Sequence, residues 1–90
     1  MSLKENNYRE IVRELNIELY EKFRIPELFE YSTTGFDDII KFDNAIIWSS
    51  DTEQREWIEE NNDYEPFIPF IKLIFNKHIQ KLSLLKLLEK

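Results

Sequence analysis

The sequence predicts a mainly α domain, a compact bundle of four or five helices around a central C-terminal helix. Three observations indicate this fold class. The 90-residue chain has the length of a single domain, so residues 1–90 are expected to form one small helical domain. One glycine and three prolines are too few for a turn-rich β sandwich or barrel. Thirteen of the 22 residues from 67 to 88 are apolar, so this segment is the richest source of core side chains.

The predicted C-terminal helix covers residues 66–88 and begins at Pro66 or Pro69, because proline suits the first turn of a helix. At 100° per residue, one face collects six apolar side chains: Phe67, Ile71, Ile74, Phe75, Leu82 and Leu85. Further leucines lie outside this face, beside the polar residues opposite it, and add more apolar surface than a small monomer easily covers. We therefore expect a homodimer, or a partner in its place, at these leucines: Leu73, Leu84, Leu87 and Leu88.

A second long helix is predicted near the start of the chain, capped by Asn6 or Asn7 and ending at about Lys22. Its apolar residues recur every three or four positions and are expected to pack along the C-terminal helix: Tyr8, Ile11, Val12, Leu15, Leu19 and Phe23. Its far side carries four acids that are expected to face solvent: Glu10, Glu14, Glu18 and Glu21.

The middle of the chain is expected to hold short elements. A helix is predicted from Pro26 to Tyr31, followed by a break at residues 32–35, which include the only glycine. Residues 36–42 suit another short helix. The apolar run 45–48 favours helix or irregular structure, with a short strand paired to residues 31–34 as the alternative.

A further helix is predicted from Ser50 to about Glu60. Ser50-Asp51-Thr52-Glu53 matches a capping box, in which the serine and the glutamate each bond a free N–H group at the start of a helix. Only Trp57 and Ile58 are apolar on this helix, so we expect it to be mostly solvated.

The net charge of −6 is distributed unevenly. Residues 36–65 carry ten acidic and two basic side chains, whereas residues 66–90 carry one acidic and five basic side chains. The simplest interpretation is that the basic end neutralises the acidic middle inside the fold. The alternatives are that the acidic middle meets a basic partner or that the lysines meet an acidic one.

The sequence contains no recognisable catalytic or metal-binding constellation. His78 is the only histidine and falls on the apolar arc of its helix, so we expect a neutral core imidazole with one hydrogen bond. Asp37, Asp38 and Asp43 lack the alternating ligands and terminal glutamate of a calcium loop. The absence of cysteine excludes disulfides and thiolate metal sites. We therefore predict no enzyme activity and no cofactor.

Membrane and nucleic-acid partners are not expected. Lysines interrupt the apolar C-terminal segment, and charges at the centre of a membrane span cost about 2.5–3.5 kcal/mol each. The polar start of the chain does not resemble a signal peptide, so a cytoplasmic location is the default expectation. The same lysines are scattered around the helix in an otherwise acidic domain, which argues against direct DNA or RNA binding.

The leading functional hypothesis is a small acidic, non-enzymatic protein-interaction module of the inhibitor, immunity or adaptor type. Its basic protein partner would bind the acidic stretch from Asp51 to Glu65. Trp57 and Tyr64 are the candidate aromatic anchors there. The candidate binding residues are Glu53, Glu56, Trp57, Glu59, Glu60, Asp63 and Tyr64. The alternative is a structural subunit or homodimer that assembles through the apolar face of the C-terminal helix.

Overall fold

The chain has an α+β fold: among the residues that the structure describes, three α-helices accompany an antiparallel sheet, so the prediction of a four- or five-helix bundle is wrong. The computed structural model describes residues 3–54, Trp57 and residues 64–87. Its elements in order are α1 (Leu3–Phe23), β1 (Phe29–Thr33), β2 (Asp38–Phe42), β3 (Ala45–Ser49), β4 (Glu53–Gln54), α2 (Ile68–Asn76) and α3 (Ile79–Leu87). A single 3₁₀ turn, Glu65–Phe67, leads into α2.

The central element is α1 rather than the C-terminal segment. The predicted N-terminal helix is present, but it begins at Leu3, so Asn6 and Asn7 lie within it and do not cap it. It contacts β1 and β2 as well as α2 and α3. Five apolar residues at helical spacing are buried on α1: Tyr8, Ile11, Val12, Leu15 and Leu19. Because this arc meets both the sheet and the C-terminal helices, α1 holds the core together. Burial of each such side chain contributes roughly 1.5–3 kcal/mol.

The sheet is a meander with strand order β1-β2-β3-β4. Phe29 pairs with Phe42 and Tyr31 with Ile40, which places these side chains on the face toward the core. The pairing of β2 with β3 shifts by one residue after Ile40 and leaves Ile47 as the extra residue of a bulge. Ile47 and the following residue, Trp48, are consequently both fully buried.

The middle of the chain forms strands where we expected short helices. Residues predicted as the helix from Pro26 to Tyr31 enter β1, and those expected to be helical from Phe36 form a turn and β2. Residues 45–48 lie in a strand, the alternative that the sequence left open, but its partner is β2 rather than residues 31–34. Cross-strand burial of alternate residues outweighs the weak helical spacing of these short segments.

The expected capping box does not start a helix. Residues 50–52 form a turn into β4. The hydroxyl of Ser49 accepts hydrogen bonds from the N–H groups of Asp51 and Thr52, at 3.1 and 3.4 Å. Ser50 instead accepts a bond from the Asp38 N–H, at 3.0 Å, and so ties the turn to β2. The rest of the predicted helix lies outside the described residues, apart from Trp57.

The C-terminal segment is two helices instead of one helix over residues 66–88. The break lies at Lys77 and His78, where the His78 N–H bonds the carbonyl of Phe75, three residues back, at 2.9 Å. Of the predicted apolar face, Ile71, Ile74, Phe75, Leu82 and Leu85 are buried, whereas Phe67 is exposed. The tighter turn therefore bends the segment without removing its apolar face from the core.

Candidate functional site

A charged seam joins α1 to the two C-terminal helices. Lys77 Nζ lies 2.6 Å from Glu18 Oε1, and Lys81 Nζ lies 3.3 Å from Glu14 Oε2. Glu14 and Glu18 were expected to face solvent, but they pair with lysines 67 and 59 residues further along the chain, respectively. These two basic residues therefore neutralise α1 rather than the acidic middle of the chain.

The seam closes over His78, which is buried. Its Nδ1 lies 3.6 Å from Glu14 Oε2, and its Nε2 lies 3.6 Å from Glu18 Oε2. The expected core imidazole is thus flanked by two carboxylates from another helix. The predicted hydrogen bond is not found at Nδ1, which has no partner among the described residues.

The electrostatics of the seam favour the ionised form of Glu18. Partial burial by itself would raise the pKa of the Glu18 carboxyl group, but the hydrogen bond and positive charge of Lys77 outweigh it, with smaller contributions from His78 and Lys22. The net effect is a lowered pKa of Glu18. The same contact raises the pKa of Lys77. The seam is therefore a structural ion-pair cluster at neutral pH.

The two aromatic anchors proposed for the acidic stretch pack against the core. The ring of Trp57 lies 5.4 Å from that of Phe42 and 5.6 Å from that of Phe75. Tyr64 is half-buried and contacts Phe42 edge-on at 6.4 Å. Glu53 lies in β4, whereas Glu56, Glu59, Glu60 and Asp63 lie outside the described residues.

An exposed aromatic residue that we had assigned to a helix lies at the turn between β1 and β2. Phe36 is 94% exposed. The Thr34 hydroxyl accepts hydrogen bonds from the Phe36 and Asp37 N–H groups at 3.4 and 3.2 Å, and the Thr33 hydroxyl accepts one from Gly35 at 3.2 Å. The turn therefore holds the ring in solvent. The Thr-Thr-Gly triplet was the signal available in the sequence.

This turn lies at the same end of the sheet as the turn at residues 50–52. In a meander the first and third connections share one end, and the Ser50 N–H donates to the Asp38 carbonyl at 2.9 Å. Asp51, which is exposed, begins the acidic stretch at this end. The structure thus brings Phe36 and Asp37 toward the start of a segment that is distant from them in sequence.

The leucines proposed as an oligomer interface are exposed where the structure describes them. Leu73 on α2 and Leu84 and Leu87 on α3 are each 61% exposed, and Leu88 lies outside the described residues. Phe70 on α2 is also 55% exposed. The C-terminal helices therefore present apolar side chains to solvent on the side away from the core.

The described residues do not bring together a metal site: no three His, Asp or Glu side chains among them could jointly hold an ion. Within the same residues, none of the helices has the length and apolar character needed to span a membrane. Tyr31 donates a hydrogen bond to Asp38, and burial together with this bond raises the pKa of the tyrosine, so the phenol keeps its proton.

Comparison with known proteins gives no family assignment. No family model, no curated protein and no solved structure matches this chain.

Proposed function

We propose that this chain is a small acidic, non-enzymatic protein-interaction module, of the inhibitor, immunity or adaptor type. Its basic protein partner would contact the acidic stretch from Asp51 to Glu65. The observation that carries the proposal is the end of the sheet where Phe36, an exposed ring on a hydrogen-bonded turn, accompanies Asp37 and Asp51. Cytoplasmic location is part of the same proposal.

Phe36 supplies an aromatic anchor, which a surface of charged side chains alone lacks. Interface energy concentrates in a few aromatic or arginine anchors, while surrounding charges mainly steer encounter and choose the partner. Trp57 is engaged with Phe42 and Phe75, so Phe36 is the better candidate for the anchor at this surface. Because hydrogen bonds fix the backbone of this turn, the segment that carries the ring loses little backbone freedom on binding.

The pairing of Lys77 and Lys81 with α1 supports a basic partner for the acidic middle. Residues 36–65 carry a net charge of −8, from ten acidic and two basic side chains. Two of the five basic side chains that follow this segment are already paired with Glu18 and Glu14. Fewer basic side chains of the C-terminal segment are thus left to neutralise the acidic middle, which supports an external basic partner.

The test is affinity capture from native lysate with the tagged protein, washed in parallel at low and high salt. A stoichiometric basic protein that is lost at high salt is expected. Neutralising Glu56, Glu59 and Glu60 to glutamine, or replacing Phe36 by alanine, should abolish capture. A charge-matched control changes Asn6, Asn76 and Gln80 to lysine, which raises the net charge by the same three units.

The outcome decides between the two candidate functions. Capture that survives both the glutamine triple variant and Phe36→Ala would refute the acidic-surface module. A captured protein that is retained at high salt but lost when Leu84 is changed to lysine would favour the alternative, a structural subunit or homodimer. The exposure of Leu73, Leu84 and Leu87 is the observation that supports this alternative. A monomer by light scattering at about 100 μM without a partner would exclude the homodimer.

A further inference from the structure

A groove lies between α1 and the segment that follows it, away from the core. It has a volume of about 560 Å³, within the range of ~300–1,000 Å³ for small-ligand pockets. Its apolar lining consists of Ile17, Tyr20 and Pro26. Ile17 is 44% and Tyr20 53% exposed, three residues apart on a helix whose other apolar face is buried. The groove thus offers an apolar surface that the domain itself leaves uncovered.

Hydrogen bonds hold both walls of the groove in place. Asn16 Nδ2 donates to the Phe29 carbonyl at 2.9 Å, and Asn16 Oδ1 accepts from the Phe29 N–H at 3.0 Å. Arg24 ends α1 with a positive φ of 58°, and its N–H bonds the Tyr20 carbonyl at 2.8 Å. The Arg24 guanidinium lies over the Tyr20 ring, 5.4 Å from its centre. A preformed site of this kind reduces the entropy lost on binding.

Carboxylates dominate the charge around the groove. Glu21 and Glu27 line it, and neither has an ion-pair partner within the described part of the chain. Arg13 also lines the groove, but Glu10 pairs with it, and its hydrogen bond and charge lower the pKa of Glu10. Arg24 is a further cation beside the groove, and its guanidinium lies over the Tyr20 ring.

A second recess is adjacent to the groove, and Glu27 lines both. This recess of about 340 Å³ is also lined by Glu30 and Asp43, and its exposed lining is mostly polar. Asp43 belongs to the turn between β2 and β3, whose position is fixed by a 3.0 Å bond from the Asp43 N–H to the Leu28 carbonyl. An apolar groove and a recess with three carboxylates therefore lie side by side at Glu27.

We propose that the groove and recess together bind a short basic segment of a partner protein. An aliphatic or aromatic side chain of the segment packs on Ile17, Tyr20 and Pro26. A neighbouring lysine or arginine enters the recess beside Glu27 and Glu30. Charge complementarity selects this occupant, because the same carboxylates repel phosphates and acidic peptides.

This site is separate from the acidic stretch of the proposed function. The recess includes the turn between β2 and β3, which lies at the opposite end of the sheet from the turn at residues 50–52. The inference therefore does not depend on residues 51–65, and the two surfaces can be tested independently.

The experiment selects a phage-displayed library of random dodecapeptides on the immobilised protein. The enriched sequences are then synthesised with a fluorescent label, and their affinities are measured by fluorescence polarisation. We expect sequences that combine Lys or Arg with an apolar residue. Tyr20→Ser and Glu27→Lys should each weaken binding at least tenfold.

Matched controls distinguish this site from other surfaces. Phe70→Ser removes a similarly exposed ring from α2, and Asn76→Lys with Gln80→Lys adds the same two charge units as Glu27→Lys. Both controls, and the glutamine triple variant at residues 56, 59 and 60, should bind within twofold of the wild type. If the triple variant weakens peptide binding instead, the peptide binds the acidic stretch. That result would overturn the groove proposal and leave the proposed function intact.

A second readout does not rely on the variants folding. In an amide NMR titration of the wild-type protein, the labelled peptide should shift the resonances of Ile17, Tyr20 and Glu27 and leave those of α3 in place. The proposal is overturned if no basic sequence is enriched, if Tyr20→Ser and Glu27→Lys bind normally, or if the shifts fall elsewhere.

Discussion

Asn16 attaches the outer edge of the sheet to α1, and its replacement by alanine tests how strongly that attachment stabilises the fold. The side-chain amide bonds both the N–H and the C=O of Phe29, at 3.0 and 2.9 Å, as a neighbouring strand would. Two such hydrogen bonds contribute about 1–3 kcal/mol together, since each is worth roughly 0.5–1.5 kcal/mol net. Alanine recovers about 0.5 kcal/mol through its higher helix propensity.

We therefore expect Asn16→Ala to destabilise the protein by about 1.5 kcal/mol. For a domain of this size the melting temperature should fall by roughly 6–12 °C. Urea unfolding followed by tryptophan fluorescence is a suitable assay, because Trp48 is fully buried. The midpoint should fall while the slope of free energy against urea stays constant.

Asn7→Ala provides the matched control on the same helix. Asn7 is exposed, so this change isolates the propensity gain and should stabilise the protein by about 0.5 kcal/mol. Hydrogen exchange at the Phe29 amide gives a local measurement and should accelerate only in Asn16→Ala. If the two variants have equal stability, the paired hydrogen bonds do not stabilise the native state.

Three further predictions concern the seam, a turn and the core. Glu18→Gln should lower stability at pH 7 by about 0.5–1 kcal/mol. The difference from wild type should disappear as pH falls through the lowered pKa of Glu18, because stability from a depressed carboxyl pKa is lost on protonation; a difference from wild type that does not shrink as the pH is lowered would contradict this. Asn44→Gly should raise stability by about 0.5–1 kcal/mol in urea unfolding, because Asp43 and Asn44 both have positive φ and glycine adopts that conformation without strain; a loss of stability would refute the turn geometry. Trp48→Ala should cost about 3–5 kcal/mol by calorimetry, as expected for a fully buried ring next to Tyr8; a cost below 1 kcal/mol would mean that the ring is not in the core.

The helical faces could be predicted because they depend on local periodicity. The stripe from Tyr8 to Leu19 is buried as expected, and so is most of the face from Ile71 to Leu85. The break at residues 77–78 could not be predicted, because neither residue is a proline or glycine. His78 at this turn lies 3.6 Å from Glu18 of α1, a contact distant in sequence that local patterns do not reveal.

The strands were not predicted because the sequence pattern of each one is weak when it is considered alone. Residues 38–42 contain adjacent isoleucines, and only pairing with β1 and β3 turns Ile40 inward and Ile39 outward. The bulge at Ile47 removes alternation from β3, which therefore looked like a continuous apolar run. Asp43-Asn44 was a weak turn signal in the sequence, because Asp and Asn tolerate the positive φ that both residues adopt.

The candidate surfaces could be predicted only in part from the sequence. The acidic stretch is visible in composition, but the exposure of Phe36 depends on a turn that periodicity assigned to a helix. The groove combines Tyr20, Pro26 and Glu27 across the end of α1, so no single helical face contains it. Glu18 and Lys77 are 59 residues apart in the sequence, so a count of charges along the chain cannot show that they pair.

The meander has a consequence for the order in which the fold assembles. Strands that pair with their immediate neighbours in the chain need only short loops to close, whereas the contacts of Glu14 and Glu18 with Lys81 and Lys77 close loops of 67 and 59 residues. We expect the hairpins to form early and the docking of the C-terminal helices to complete the core last. Until then the apolar arc of α1 is only partly covered, and this transient species is where aggregation would compete with folding.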